Sequence, residues 1–367
     1  MLKLFLAGDV MTGRGIDQIL PQPNAPHLFE DCVQSARGYV ALAEQAHGPI
    51  PRPVDYAYIW GDALPELAHA LPDLRIVNLE TAVTKSEDAW VGKGIHYRMH
   101  PANAPCLSAA RIDCCVLANN HALDWGYAGL LESLQTLHTC GIRTAGAGRN
   151  AAEAAAPAVI EVGDRARVLV YAFCTRDSGV QVDWAAAERQ AGVNLLRDLS
   201  AAQVDAVARQ VQAVKRPDDI VVASLHWGGN WGYAVSDQQR AFAHGLIERA
   251  GVDLVHGHSS HHAKGIEVHQ GKLILYACGD FLTDYEGIRG HESYRGDLSL
   301  MYFPSIDRAS GRLRELTLTP LRTRRFRLEA AAPDDVAWLL AVLNREGRDL
   351  GTRFETGADG RLVLIAA

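Results

Sequence analysis

Short apolar runs that stop abruptly on polar residues recur along this chain. Residues 2–7, 73–79, 113–118, 220–225 and 252–255 each read as a buried strand. Each run closes on a polar tip: Gly8-Asp9, Asn78-Leu-Glu80, Asn119-Asn-His121, His226-Trp-Gly228 and Gly257-His-Ser-Ser-His261. Helical periodicity fills the intervals, over about 63–70, 103–110, 127–139, 198–214 and 237–250. Strand, polar tip and helix in repetition predict an α/β protein built on layered sheets. Further strands are expected at 142–145 and 167–174, and a hairpin over 265–269 and 272–277 turns at Gln270-Gly271. Strands at 298–303 and 313–319, a helix opened by Pro333 and a last strand at 361–365 complete the pattern.

Two stretches break the alternation. Prolines 21, 23, 26, 49, 51 and 53 punctuate an insertion over 17–60, with one helix at about 30–45 and modest structure otherwise. In residues 95–100, His96, Arg98 and His100 alternate with apolar residues, so a strand there would carry all three on one face. No tandem repeat or low-complexity block appears apart from the alanine-rich stretch 150–156, which reads as a short helix. The chain reads as one domain over 1–325, with a helix–strand extension, 326–367, packed on it.

Composition narrows the classes. The 367 residues are 48% hydrophobic and 22% charged with net charge −7, which excludes a general nucleic-acid binder. The basic run at 322–327 is short and fits a solvated strand edge. The apolar start is too short for a signal peptide or a membrane span, and no later run is long enough to cross a bilayer. Seven cysteines, an odd number without CxxC spacing, sit mostly in apolar runs as free thiols do. These features predict a cytoplasmic protein.

The chemistry gathers at the strand tips. Four of the fifteen histidines, His256, His258, His261 and His262, fall within seven positions behind the run 252–255. Carboxyl ends of strands in an open α/β sheet converge on one crevice. There, Asp9, Glu80, Asn120, His226, His258 and His261 form a mixed oxygen and nitrogen set suited to Mn, Fe or Zn, and unsuited to Ca or Mg. If the strand continues through His256, that residue points away from the metal side and supports it. Trp227 and Trp231 fit core packing ahead of the alternative, a wall of the pocket beside His226. Asp280, Asp284 and Glu286 fit either the rim of the crevice or a solvated loop.

The ordered set Gly-Asp, Asn-Leu-Glu, Asn-Asn-His-x-x-Asp, His-Trp-Gly and Gly-His-x-x-His resembles the bacterial capsule-biosynthesis CapA (poly-γ-glutamate) family, within the calcineurin-like metallophosphoesterase superfamily. The resemblance runs from Leu4 to about Tyr285 and includes the segments 117–126 and 276–281. It implies a four-layer α/β/β/α sandwich and a site for one or two divalent metal ions. One ion would take Asp9, Glu80 and His261; the other would share Glu80 and add Asn120, His226 and His258. His121 would stand where the superfamily places its general acid. The chain departs from the phosphoesterase pattern in three places, all shared with CapA proteins. Met11 replaces a ligating histidine, Glu80 replaces the bridging aspartate, and His-x-x-His replaces His-x-His.

The sequence therefore predicts a metal-dependent hydrolase in which metal-bound hydroxide attacks a phosphoester and His121 protonates the leaving group. Asp124 either orients His121 or caps the following helix. Arg14, between two glycines, and Arg98 are candidate binders of an anionic substrate, a small molecule or a polyanionic polymer. Lys93 carries a weaker signal. One alternative is an accessory role in poly-γ-glutamate or capsule assembly, with the metal site used for amide chemistry or polymer binding. A second is a degenerate binding protein without catalysis.

Overall fold

The computed structural model describes residues 1–163 and 166–366. A mixed α/β architecture rests on two large sheets. The first has ten strands. Its central strand, Leu2–Val10, runs parallel to Leu74–Leu79, which continues in parallel to Cys114–Val116 and Arg143–Ala145. On its other side Leu298–Ile306 and Leu313–Arg324 are antiparallel, and the C-terminal strands Leu362–Ala366 and Arg353–Thr356 extend that edge. The second sheet has six strands, with Ala166–Cys174, Ile220–His226, Leu254–His258 and Lys272–Leu275 parallel at its centre. Antiparallel strands close both edges, Ala158–Val162 on one side and Ile266–His269 on the other.

Alternation along the second sheet divides the apolar side chains between two cores. Val168, Val170 and Ala172 join Leu4, Leu6 and Val77 of the first sheet in the main core. Leu169, Tyr171 and Phe173 face the helices Ala201–Val214 and Asp237–Glu248, where Val204, Val207, Phe242 and Leu246 cover them. Each such large side chain, fully buried, stabilises the fold by roughly 1.5–3 kcal/mol. The helix starts are locally encoded. Ser200 accepts a hydrogen bond from the Gln203 amide, and Ser236 with Gln239 forms a capping box.

Residues 17–60 are more deeply integrated than their prolines suggest. Ile19, Leu20, Tyr39, Val40, Ile59 and Trp60 belong to the main core, and Trp60 Nε1 donates to the Cys106 carbonyl at 2.7 Å. The helix there spans Ala36–His47, and a shorter one, Arg14–Ile19, occupies what the flanking glycines made look like a loop. The strand expected over 95–100 shrinks to Arg98–Met99, paired only with Ala82–Val83, so His96, Arg98 and His100 do not share an open face. All seven cysteines are free thiols, and among the described residues no helix is long and apolar enough to cross a membrane.

Candidate metal centre

The parallel strands of both sheets deliver their carboxyl ends to one place, and two close backbone approaches shape it. The strand Leu2–Val10 runs on through Gly8-Asp9 beside Asp280–Leu282, with Asp9 in register with Asp280. A Cβ on Gly8 would overlap the Gly279 carbonyl oxygen, so only glycine lets the two Gly-Asp pairs meet. Gly257 does the same between His256 and His258, where a Cβ would strike the Leu275 and Tyr276 carbonyls. Strand pleating then sends His256 and His258 toward Ser224, whose Oγ lies 3.1 Å from His256 Nδ1 and 2.8 Å from His258 Nε2. His256 Nε2 donates to the Ala7 carbonyl at 2.7 Å, a direct tie from the second sheet to the first.

Asp9, His226 and His258 are fully buried, and one ligand atom from each lies within 4.8 Å of the others. His226 Nδ1 and His258 Nδ1 face each other at 2.8 Å, with Asp9 Oδ1 3.9 Å from the latter. Asn78 donates to Asp9 Oδ1 at 2.7 Å and the Ser259 amide to Oδ2 at 3.2 Å. The other nitrogen of His226, Nε2, faces Asn120 Oδ1 at 3.1 Å and Glu80 Oε1 at 3.8 Å. His261 Nδ1 contacts Asp280 Oδ1 at 3.0 Å. All six expected ligands thus lie around one buried centre, but grouped differently. Asp9, rather than Glu80, groups with His226 and His258, and Glu80 stands beside Asp9 on the Nε2 side of the His226 ring.

Burial dominates the electrostatics. It pushes the Asp9 carboxyl up to about 7, with the nearby Asp280 charge adding to the effect. Glu80 is raised well above the carboxylate range by burial and then by Asp9. Burial holds His226 and His258 far below the usual imidazole range, so both are neutral donors of lone pairs. For His261 burial acts downward, but Asp280 and then Asp9 outweigh it and the net shift is upward. Glu80 Oε2 and Asp280 Oδ2 are buried without any hydrogen-bond partner. Orphaned carboxylate oxygens of this kind are costly unless a cation satisfies them.

Beside the centre stands a buried triad. His121 Nδ1 lies 2.6 Å from Asp124 Oδ2 and its Nε2 3.7 Å from Glu80 Oε1. Asp124 accepts from the Tyr97 amide at 2.6 Å and from Lys93, whose ammonium stands 3.0 Å from His121 Nδ1. Asp124 is no helix cap, since the following helix, Gly126–Thr139, starts at Trp125 without a side-chain cap. Burial, and next the Lys93 charge, keeps His121 well below the ordinary imidazole range. Burial also lowers Lys93, partly offset by Asp124.

The two arginines are not open anion sites. Arg14 is buried, and its guanidinium donates to Asp284 at 2.5 and 3.1 Å, to Glu30 at 3.1 Å and to Tyr39 at 2.9 Å. Arg98 donates to the Ser86 carbonyl at 2.6 Å and stacks on Trp125 at 3.8 Å. Both are structural clamps whose donors are spent, Arg14 chiefly on carboxylates and Arg98 on backbone and an aromatic face. The open space is a cavity of about 580 Å³ that Arg14 itself borders, with His261, Trp231, Tyr285, Tyr39 and Arg289 in its wall. Trp231 lies 5.1 Å from the His261 ring and stacks on His291 at 3.9 Å, while Trp227 is core, as expected.

Sequence reasoning gave too little weight to two residues of the centre. Asp280 sits inside it rather than on a rim, and its signal was present: Gly279-Asp280 ends an apolar run as Gly8-Asp9 does. Lys93, its side chain 11% exposed, lies against His121 and Asp124, a partnership that a lone lysine in a polar loop does not announce. Asp284 and Glu286 are also buried. The first clamps Arg14, and the second accepts from the backbone amides of Arg325 and Phe326 at 2.7 and 2.5 Å.

Carboxylate and imidazole donors with two orphaned oxygens fit a divalent transition-metal ion. The fold and the centre define an α/β protein with a candidate metal-binding group where two sheets' strand ends meet. The chain belongs to the bacterial capsule synthesis protein PGA_cap family, whose model matches residues 3–285. It is 47% identical over 368 residues to a "probable polyglutamine synthesis accessory protein" of Mycobacterium tuberculosis, covering 100% of this chain and 97% of that one. It is also 26% identical over 294 residues to the PGA biosynthesis protein CapA of Bacillus subtilis, covering 80% of this chain and 66% of the relative. The capsule biosynthesis protein CapA of Bacillus anthracis is 23% identical over 296 residues, with 80% and 62% covered.

Proposed function

We propose that this protein is a cytoplasmic accessory factor in the assembly of poly-γ-glutamate or a related capsule polymer, and that it uses its buried centre to bind the polyanionic chain or cleave an amide within it. The observation that carries the reading is the convergence of Asp9, Glu80 and Asp280 with His226, His258 and His261, which leaves Glu80 Oε2 and Asp280 Oδ2 without partners. The names of the relatives supply the polymer. Asp9, His226 and His258 would hold one ion of Mn, Fe or Zn, with Glu80, Asn120, His261 and Asp280 completing the centre or holding a second. A divalent cation there supplies Lewis acidity, polarising an acyl or phosphoryl oxygen and acidifying water.

The chain's own residues do the rest. Asp124 takes the Nδ1 proton of His121 in a hydrogen bond and so presents Nε2 to the Glu80 side, where it can receive or return a proton. Lys93 balances the Asp124 charge. Trp231 and Tyr285 wall the cavity beside His261 and shield it from water. Met11 speaks against the phosphoester reading: it is buried beneath the Tyr285 hydroxyl, 3.4 Å away, where phosphoesterases carry a ligating histidine. The same reading takes the sheets and their flanking helices as a four-layer α/β/β/α sandwich over 1–325, with 326–367 packed on it through the pairing of Leu362 with Leu318.

The test is metal content of protein purified without chelator, followed by assays with a γ-glutamyl peptide and an aryl phosphate. Bound Mn, Fe or Zn, with cleavage or binding of the γ-glutamyl chain, is expected. Turnover of the aryl phosphate alone would replace this reading with phosphoester hydrolysis. A His121→Ala variant that keeps its metal but loses cleavage separates a catalyst from a binder, which would lose nothing.

A further inference from the structure

We propose a second metal site, independent of the first, on the outer edge of the six-stranded sheet, formed by His244, Glu267 and His269 with Glu248 beside them. Two elements present these donors in matched pairs. His244 and Glu248 stand four residues apart on the helix Asp237–Glu248, so they share a face. Glu267 and His269 stand two apart on the edge strand Ile266–His269, so they share a face as well. The two faces meet. His244 Nε2 lies 3.1 Å from Glu267 Oε1, and His269 Nε2 lies 2.7 Å from Glu248 Oε1.

The imidazoles of His244 and His269 stack at 3.7 Å with their planes within 7°. Ligand atoms of His244, Glu267 and His269 all fall within 4.8 Å of one another. His244 Nε2 is buried and not aligned for a hydrogen bond to the carboxylate beside it. Glu267 is buried and anchored from behind, because the Tyr276 hydroxyl donates to its Oε2 at 2.6 Å. That leaves Oε1 toward the histidines, an arrangement in which an outer hydrogen bond orients a ligating carboxylate. Arg240 also reaches Oε1, at 2.9 Å, but its side chain is 41% exposed and can turn into solvent when a cation enters.

Two histidines and the Glu267 carboxylate, gathered from facing elements, suit zinc with its fourth position left to water, and Glu248 serves as the outer partner of His269. Ordinary surface ion pairs between the same residues would leave no buried imidazole nitrogen unsatisfied, and a tilt of the two stacked rings brings both lone pairs onto one ion. Zinc held here would clamp the terminal strand of the sheet to the helix Asp237–Glu248 beside it.

Zinc stoichiometry, read by competition with a chromophoric chelator on the full chain, tests this. The double variant His244→Ala/His269→Ala should bind one equivalent fewer than the wild type, and Glu248→Gln should weaken that equivalent by about tenfold. Equal zinc content in the wild type and the double variant, with both folded by circular dichroism, overturns the proposal. Should the double variant not fold, the exposed-edge change His269→Gln gives the same reading: unchanged zinc binding overturns the site, loss of one equivalent supports it. The measured difference stands whether or not the central site takes a metal, so the two conclusions fail separately.

Discussion

Removing the cation from the central site should cost the fold a measurable and pH-dependent amount. Without a cation, Asp9 is held at about 7 against an ordinary 3.8, through burial and then the Asp280 charge. A carboxyl raised on folding contributes stability that is complete below about pH 4 and is lost as pH rises through 7. Carrying Asp9 ionised at pH 8 therefore costs on the order of 4 kcal/mol, at about 1.4 kcal/mol for each pH unit. A divalent ion in hundredfold excess over its dissociation constant restores about 2.7 kcal/mol. Unfolding 367 residues releases roughly 0.8 kcal/mol per kelvin of entropy near the midpoint, so Tm should rise by about 3–4 °C.

The assay is a thermal melt in EDTA and in MnCl2, at pH 5 and at pH 8. The increment should be large at pH 8 and small at pH 5, where Asp9 already carries its proton. Asp280→Asn sharpens the test by reversing sign between conditions. It removes the neighbouring charge, so in EDTA at pH 8 it should melt about 1–2 °C above the wild type, while gaining less from the cation. Identical melts in EDTA and MnCl2 at pH 8, together with an Asp280→Asn variant that melts lower in both, would refute the argument.

Other perturbations address positioning and packing. Gly8→Ala should prevent Asp280–Leu282 from seating against Asp9, costing about 3 kcal/mol and abolishing cation binding in an equilibrium dialysis measurement. Asp17→Ala removes the acceptor for the Asn24 and His100 amides and the Asn103 side chain; urea denaturation should show a loss of about 3 kcal/mol. Trp60→Ala should cost about 3–5 kcal/mol by the same assay, since it opens a void and strands the Cys106 carbonyl. Lys93→Met should keep the metal content of the wild type while lowering any turnover by tenfold or more, because Asp124 loses its counter-charge beside His121. An unchanged rate would remove Lys93 from the working site.

What could be read from the chain follows from how the signal is encoded. A parallel strand buried on both faces is mostly apolar, so 2–7, 73–79 and 220–225 announced themselves, and their polar tips marked the centre. Pairings across the chain leave no such trace. Arg14 and Asp284 are 270 positions apart, and nothing in Gly13-Arg14-Gly15 shows that a carboxylate will consume the guanidinium. Lys93 and His121 are similarly joined only by the fold. The edge strand Ala158–Val162 escaped notice because five residues after an alanine-rich helix carry too little alternation to stand out. The helix in 17–60 was visible, but its burial was not, since the prolines mark turns and say nothing of what lies beneath them.

The hydrogen bond from His256 to the Ala7 carbonyl has a mechanical consequence. It fastens the two sheets together one residue from Gly8 and two from His258, where the donor groups of both sheets must register. Hinging between the sheets would tear that bond before it could widen the centre. Any adaptation to a long, flexible chain must therefore occur outside the fastened body, in the wall that carries Trp231, Arg289 and His291. Substitutions in that wall can change its shape and charge while the donors beneath it stay fixed.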